Sequence, residues 1–397
     1  MPEVLEKSTP LMTIKRIQGS CSILEAIHGV CMAQQVQPTT IPAERDFTGG
    51  MTHALSCSFV GTTGDSKLDD RIMELAREID GDDNPCLLAE MLTTAARVAR
   101  SRVAEPEFKL MNRTLKEMLI TEEVFHPYKN CRKVAIYGSA RTKPEEPEYQ
   151  TTVKFARRMR EEGFMSVTGA GPGIMAAGNE GSGRDDTFGL NITLPFEASA
   201  NDFIKGDPKL IDYNYFFTRK LAFVKEVDAA VGCPGGFGTM DEVFEALTLI
   251  QTGKATVYPV VLLDAPGGTY WKFWNQFIEE HLQRLKLISD HDFALFKVTD
   301  DVEEAVAEIT GFYRNYHSYR YVGDKIVIRL KKKLSSETVA SLEEEFATLV
   351  ASGKMEICDA LPEENEPELA ELPRLVFRNR RGSFGKLRLL IDAINRA

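Results

Sequence analysis

Apolar residues recur at steps of three and four through DDRIMELAREI from Asp69, then NPCLLAEMLTTAARVARSRV, then FKLMNRTLKEMLI. That period predicts a helical region over residues 66–131. Residues 1–65 mix short apolar patches with Thr, Gly and Pro, show no sustained period, and read as an irregular N-terminal segment. From about Lys133 the pattern changes. Short runs rich in β-branched residues (VAIYG, FMSVTG, FGLNITLP, AAVGC, VYPVVLLD, ALFKVT) alternate with helical runs (YQTTVKFARRMREEG, GIMAAGNEGS, NYFFTRKLAFVKEV, TMDEVFEALTLIQTG, WKFWNQFIEEHLQRL, DVEEAVAEITGFYRN). Such alternation predicts an α/β fold, a Rossmann-like doubly wound parallel sheet over residues 132–316. Residues 317–397 predict a small C-terminal α+β appendage, with KIVIRL, MEICDA and LVFRNR as strands and PEENEPELAEL as an acidic linker. GKLRLLIDAINRA reads as helix, or as part of a hairpin turning at Arg381, Gly382 and Ser383.

Charge and composition narrow the function classes. The chain is 43% hydrophobic and 27% charged, an ordinary globular balance. A formal charge of -11 argues against nucleic-acid or anionic-membrane partners, which need surplus Lys and Arg to neutralise phosphates. No run approaches the roughly 18 apolar residues of a membrane span. The seven cysteines are widely spaced, form no C-x-x-C and no zinc pattern, and read as reduced thiols of a cytoplasmic protein.

In an open α/β sheet, ligands sit at the carboxyl ends of the strands. Three glycine-rich turns fall there. VAIYGSAR puts Gly138 and Ser139 after a strand, where a small residue admits a ligand and a hydroxyl can donate to it. SVTGAGPGIMAAGNEG carries Gly169, Gly171 and Gly173, but the dinucleotide fingerprint would require glycine where Ile174 stands, so NAD is not supported. No P-loop motif occurs. The third turn, AAVGCPGGFGTMDEVFEAL, combines Gly235, Gly236 and Gly238 with Thr239 at an expected helix start. Glycines permitting positive φ, a capping threonine and the positive end of a helix dipole together predict a site for one phosphate. Asp241 and Glu242 are expected in the first turn of that helix, where carboxylates are common for dipole reasons alone. Cys233, Trp271 and Trp274 read as packing, and the histidines show no metal-ligand spacing.

The run Pro234 to Glu242, P-G-G-x-G-T-x-x-E, together with the Arg219-Lys220 pair of FFTRKLAF, resembles the signature of the Lonely Guy family of nucleotide phosphoribohydrolases, often labelled lysine decarboxylases. The resemblance covers about residues 132–316. It implies Arg219 and Glu242 as the catalytic pair, Gly235, Gly236, Gly238 and Thr239 as the phosphate site, and Gly138, Ser139, Gly169, Gly171, Met175 and Lys220 as nucleotide contacts. Where family members often read G-G-G, this chain has Gly169-Ala170-Gly171. No cofactor and no metal are implied, and a homodimer or higher homo-oligomer is.

The function so implied is hydrolysis of the N-glycosidic bond of a nucleoside 5′-monophosphate to free base and ribose 5-phosphate. The long flanks are similar to those of long bacterial members acting on purine and pyrimidine nucleotides. Alternatives are a phosphoribohydrolase specific for cytokinin riboside monophosphates and a non-catalytic nucleotide or molybdenum-cofactor carrier. A DNA-processing role fits the acidic balance poorly.

Overall fold

The computed structural model describes residues 61–80, 84–193 and 200–397, so the expectation for residues 1–65 falls almost wholly outside the described residues. The described chain opens with three helices, α1 (Ser66–Asp80), α2 (Pro85–Arg100) and α3 (Glu105–Phe125). Helices α1 and α2 share a small apolar contact of Ile72, Ala76 and Ala89. The longer α3 docks elsewhere. Its last residue, Phe125, stacks on Phe188 with ring centroids 4.3 Å apart.

Next come β1 (Lys133–Tyr137), α4 (Pro147–Glu161), β2 (Met165–Thr168), α5 (Ile174–Ser182), β3 (Thr187–Ile192), β4 (Leu210–Tyr213), α6 (Phe216–Lys225), β5 (Ala229–Gly232), α7 (Phe237–Gln251), β6 (Val260–Leu263), α8 (Tyr270–Phe277), β7 (Phe296–Thr299) and α9 (Val302–Phe312). The strands form one seven-stranded sheet in the order β4-β3-β2-β1-β5-β6-β7, with every pairing parallel. Strands β1, β2, β5 and β6 are buried at every residue, as expected where helices cover both faces. The Rossmann-like expectation holds. One strand was not legible beforehand: β4, LIDY, is too short and too polar at Asp212 to stand out.

The order reverses between β1 and β5, which pair directly, Ile136 opposite Val231. A crevice opens at such a switch point, beyond the carboxyl ends of the two strands. The turns after β1 and β5 are the Gly138-Ser139 and Cys233–Gly236 segments, and the Ser139 amide donates to the Pro234 carbonyl at 3.1 Å.

A second sheet, ordered β10-β11-β9-β8, follows. It comprises β8 (Tyr316–Val322), β9 (Lys325–Leu330), β10 (Val350–Cys358) and β11 (Arg374–Asn379), with α10 (Ser336–Glu345) and α11 (Phe384–Arg396). Most of its buried apolar residues, Ile326, Ile328, Leu375 and Phe377 among them, belong to the same cluster as the first sheet. Strand β8, YHSYRYV, has no aliphatic run to mark it: Val322 is its only aliphatic residue, and its buried positions are Tyr316, Tyr319, Arg320 and Tyr321. The segment after Gly382 is helix α11, not a hairpin arm. The acidic stretch at Pro362–Glu371 is anchored: Glu364, 1% exposed, accepts from Arg329 at 2.7 and 2.8 Å and from Arg374 at 3.0 Å. Buried guanidinium groups require such a carboxylate, so its acidity serves pairing. Among the described residues, Cys131, Cys233 and Cys358 are free thiols. Among the described residues, no helix is long and apolar enough to cross a membrane.

Candidate functional site

The crevice at the switch point holds a cavity of about 90 Å³ lined by Gly138, Gly169, Met175, Arg219, Gly238, Thr239 and Glu242, with Ile136, Tyr137 and Phe223 as its apolar wall. Seven residues singled out from the sequence therefore converge from four separate segments. Ser139, Gly171, Lys220, Gly235 and Gly236 stand behind or beside this lining. Larger cavities among the described residues lie on the second sheet, behind α9 and between α7 and α8, and none of them is lined by these residues.

The turn between β2 and α5 is held by Gly173, which has φ +67° and where a Cβ would come within 2.3 Å of the Ser139 carbonyl oxygen. Only glycine satisfies both constraints. The Ile174 amide donates to that same carbonyl at 3.0 Å, so Ser139 ties the β1, β2 and β5 turns together through its backbone. Its hydroxyl accepts from the Arg141 amide at 3.0 Å. Ala170 takes φ +59° and is fully buried, at the position where family members often carry glycine.

The loop after β5 departs from expectation in two respects. None of Gly235, Gly236 and Gly238 adopts positive φ; their part is clearance. A Cβ on Gly235 would come within 2.1 Å of Thr239 Oγ1, whereas at Gly236 and Gly238 it would meet nothing within 4 Å. The second correction concerns register. Helix α7 starts at Phe237 with Gly236 as N-cap and no capping side chain, so Thr239 is its third residue, buried rather than capping. Asp241 and Glu242 consequently lie in the second turn. The cause is the run Phe237-Gly238, which enters the helix before the first polar residue. The opening amides of α7 have no acceptor within the helix, and the Phe237 side chain beside them is almost fully exposed. Tyr270, which the sequence did not mark, fixes this loop by donating from its hydroxyl to the Gly235 carbonyl at 2.6 Å.

Arg219 and Lys220 come from α6, Glu242 from α7. Arg219 Nη2 lies 3.8 Å from Glu242 Oε1, and Lys220 Nζ lies 3.6 Å from Glu242 Oε2. Lys220 also pairs with Asp241 at 2.9 Å and with Glu245 at 2.6 Å. The Arg219 guanidinium sits over the Phe216 and Phe223 rings, 4.9 and 5.9 Å from their centroids. Burial pushes the Glu242 carboxyl above the usual carboxylate range, and the pull of Lys220 and Arg219 does not offset it. For Lys220, burial acts downward but hydrogen bonds to Glu245 and Asp241 outweigh it and raise its pKa. Glu245, which lies outside the glycine-rich signature, shares a helical face with Glu242 through its spacing of three. Cys233 is a buried thiol against Thr152, 3.3 Å away, and burial pushes it up to about 12, which keeps it protonated. Among the described residues, no three His, Cys, Asp or Glu side chains are grouped to hold a metal ion.

Residues 167–309 match the family model described as "Possible lysine decarboxylase", the label the Lonely Guy family commonly carries, and the chain thus carries a domain of that family. The match includes Arg219 and the whole of Pro234–Glu242. No curated protein matches the chain significantly. Among solved structures it is similar to the molybdenum cofactor carrier protein of Chlamydomonas reinhardtii, at 20% identity over 45% of this chain and 96% of that one, with a TM-score of 0.32. A molybdenum cofactor binding protein of Rippkaea orientalis is 18% identical over 45% and 93%, with a TM-score of 0.33. DNA processing protein A of Helicobacter pylori is 15% identical over 45% and 81%, with a TM-score of 0.28. Likenesses of this size say nothing about what this chain binds.

Proposed function

We propose that the protein is a nucleotide nucleosidase of the cytoplasm: it hydrolyses the N-glycosidic bond of nucleoside 5′-monophosphates, releasing free base and ribose 5-phosphate. The observation that carries this reading is the meeting of Arg219 and Glu242 across one small cleft with the amino end of α7. The opening amides of α7, reached across the open space at Gly236 and Gly238, take the 5′-phosphate. Binding energy gained there positions C1′, remote from the phosphate, near Glu242.

Water attacks C1′ as the C1′–N bond breaks, through a transition state with oxocarbenium character. Glu242 stabilises the cationic sugar and accepts a proton from the attacking water, while the departing base leaves with the bond electrons and takes up a proton. A carboxyl held above the usual carboxylate range suits proton transfer near neutral pH. Arg219 orients Glu242 and holds substrate through its planar fork.

Incubation with AMP, followed by chromatography for adenine, tests the proposal. A carrier would bind the nucleotide and release no base, and a cytokinin-specific enzyme would leave AMP intact and cleave only the modified nucleotide. A homodimer or higher assembly belongs to the proposal as well: Phe216, Phe217, Leu221 and Phe237 are large apolar side chains exposed beside the cleft, and patches of this kind mark interaction surfaces. Sedimentation velocity should show no monomer at micromolar concentration; a monomer would contradict that part.

A further inference from the structure

Helix α3 precedes the sheet and lies outside residues 167–309, yet one of its carboxylates is buried against the helix that carries Arg219 and Lys220. Glu117 is 1% exposed. Its Oε1 accepts from the Asn214 amide and from Asn214 Nδ2, each at 2.9 Å, and its Oε2 accepts from Thr218 Oγ1 at 2.5 Å. Arg113 Nε adds a fourth bond at 3.2 Å. One turn further along, Thr121 Oγ1 and the Tyr213 hydroxyl lie 2.6 Å apart, which ties α3 to the end of β4. Burial alone would push the Glu117 carboxyl upward, but the bonds from Thr218, Asn214 and Arg113 prevail and hold it below the usual range.

Helix α6 lacks a cap of its own: Tyr215 is its N-cap and supplies no capping side-chain bond. A helix amino end favours a negative charge and needs acceptors for its opening donors. Glu117 supplies the negative charge from another element and accepts from Asn214, just before the N-cap, and from the Thr218 hydroxyl in the first turn. The bonded residues, Asn214 and Thr218, bracket the start of α6, and Thr218 immediately precedes Arg219. A shift of α6 by a fraction of a turn would swing Arg219 and Lys220 away from Glu242, which sits on a different helix.

We propose that Glu117 is a positioning residue for the reaction: from the helix preceding the sheet, it fixes the start of α6 and thereby sets Arg219 and Lys220 against Glu242. This rests on the nucleosidase reading for its kinetic consequence and on the geometry alone for its structural one. On this account the N-terminal helical region is part of the machinery of the site.

The test uses the full chain with Glu117→Gln, Glu117→Asp and the milder, nearly isosteric Thr218→Val. Amide hydrogen exchange of residues 216–225 is compared with that of residues 237–251, and kcat and KM are measured on AMP. We expect Glu117→Gln and Thr218→Val to speed exchange in α6 but not in α7, and to lower kcat about tenfold, with KM changed by about twofold or less. Glu117→Asp, which keeps the charge, should recover part of that loss. Unchanged α6 exchange in both variants, or a kcat that falls only in step with the folded fraction, would overturn the proposal. Should the parent protein release no base from any nucleotide, the nucleosidase reading fails, and exchange in α6 still decides whether Glu117 positions that helix.

Discussion

Arg219 and Glu242 stand on the two helices that flank strand β5, one before it and one after, and their charged ends meet 3.8 Å apart. Neither helix alone makes this pair. It exists because β5 pairs with β1 at the sheet's switch point and directs both neighbouring helices at one crevice. Replacing Glu242 with Gln keeps the shape and removes the charge. Release of adenine from AMP should fall about a hundredfold or more, with AMP affinity changed by about threefold or less by calorimetry. Turnover near the parent rate would remove Glu242 from the chemistry.

Glu242 also makes stability depend on pH with a definite sign. Its carboxyl is raised in the fold, so the folded protein holds that proton more tightly than the unfolded chain. The associated stability is fully present below the ordinary carboxyl value, about 4.3, and is lost as pH rises through the raised folded value. Glu242→Gln should therefore raise Tm at pH 7, with the gain vanishing toward pH 4. The acid limb of kcat/KM, which needs ionised Glu242, should lie above the ordinary carboxyl range. A Tm difference independent of pH would contradict this.

The glycines of the α7 loop separate fold from function. Gly238→Ala places a methyl in open space within a helix and should stabilise the fold by up to about 1 kcal/mol, while crowding the phosphate and weakening AMP binding. Gly235→Ala drives a methyl into Thr239 and should destabilise by about 1–3 kcal/mol. Denaturant melts and AMP titrations of the two variants check both signs. Equal affinity in Gly238→Ala and the parent would place the phosphate elsewhere.

Sequence patterning carried the sheet well, because doubly covered strands such as VAIY and VVLL are unbroken apolar runs. It failed at β4, where Asp212 faces water, and at β8, where tyrosines and Arg320 are buried in place of aliphatic residues. For the site, local spacing sufficed where neighbours in sequence are neighbours in space, as in Pro234–Glu242. It missed the α7 start, because Phe237 and Gly238 resemble loop yet already have helical backbone. Tyr270 and Glu117 were illegible for a different reason: each acts through a contact more than 30 residues away, and nothing local marks a hydroxyl or a carboxylate for such a role.

In the second sheet, Glu364 neutralises Arg329 and Arg374, both almost fully buried. Glu364→Ala leaves two guanidinium groups without that partner and should cost about 3–5 kcal/mol, read by denaturant unfolding. AMP hydrolysis by the fraction that remains folded should be unaffected, since the sheet contributes nothing to the cleft lining. A loss below about 1 kcal/mol would mean that water solvates the pair.

The most direct measurement is product analysis of the full-length protein incubated with AMP and, in parallel, with adenosine. The account predicts adenine and ribose 5-phosphate in equal amounts from AMP, little or no adenine from adenosine, and about a hundredfold less, or lower still, from AMP with Glu242→Gln. AMP bound but recovered intact, with no base released from any purine or pyrimidine monophosphate, would contradict it.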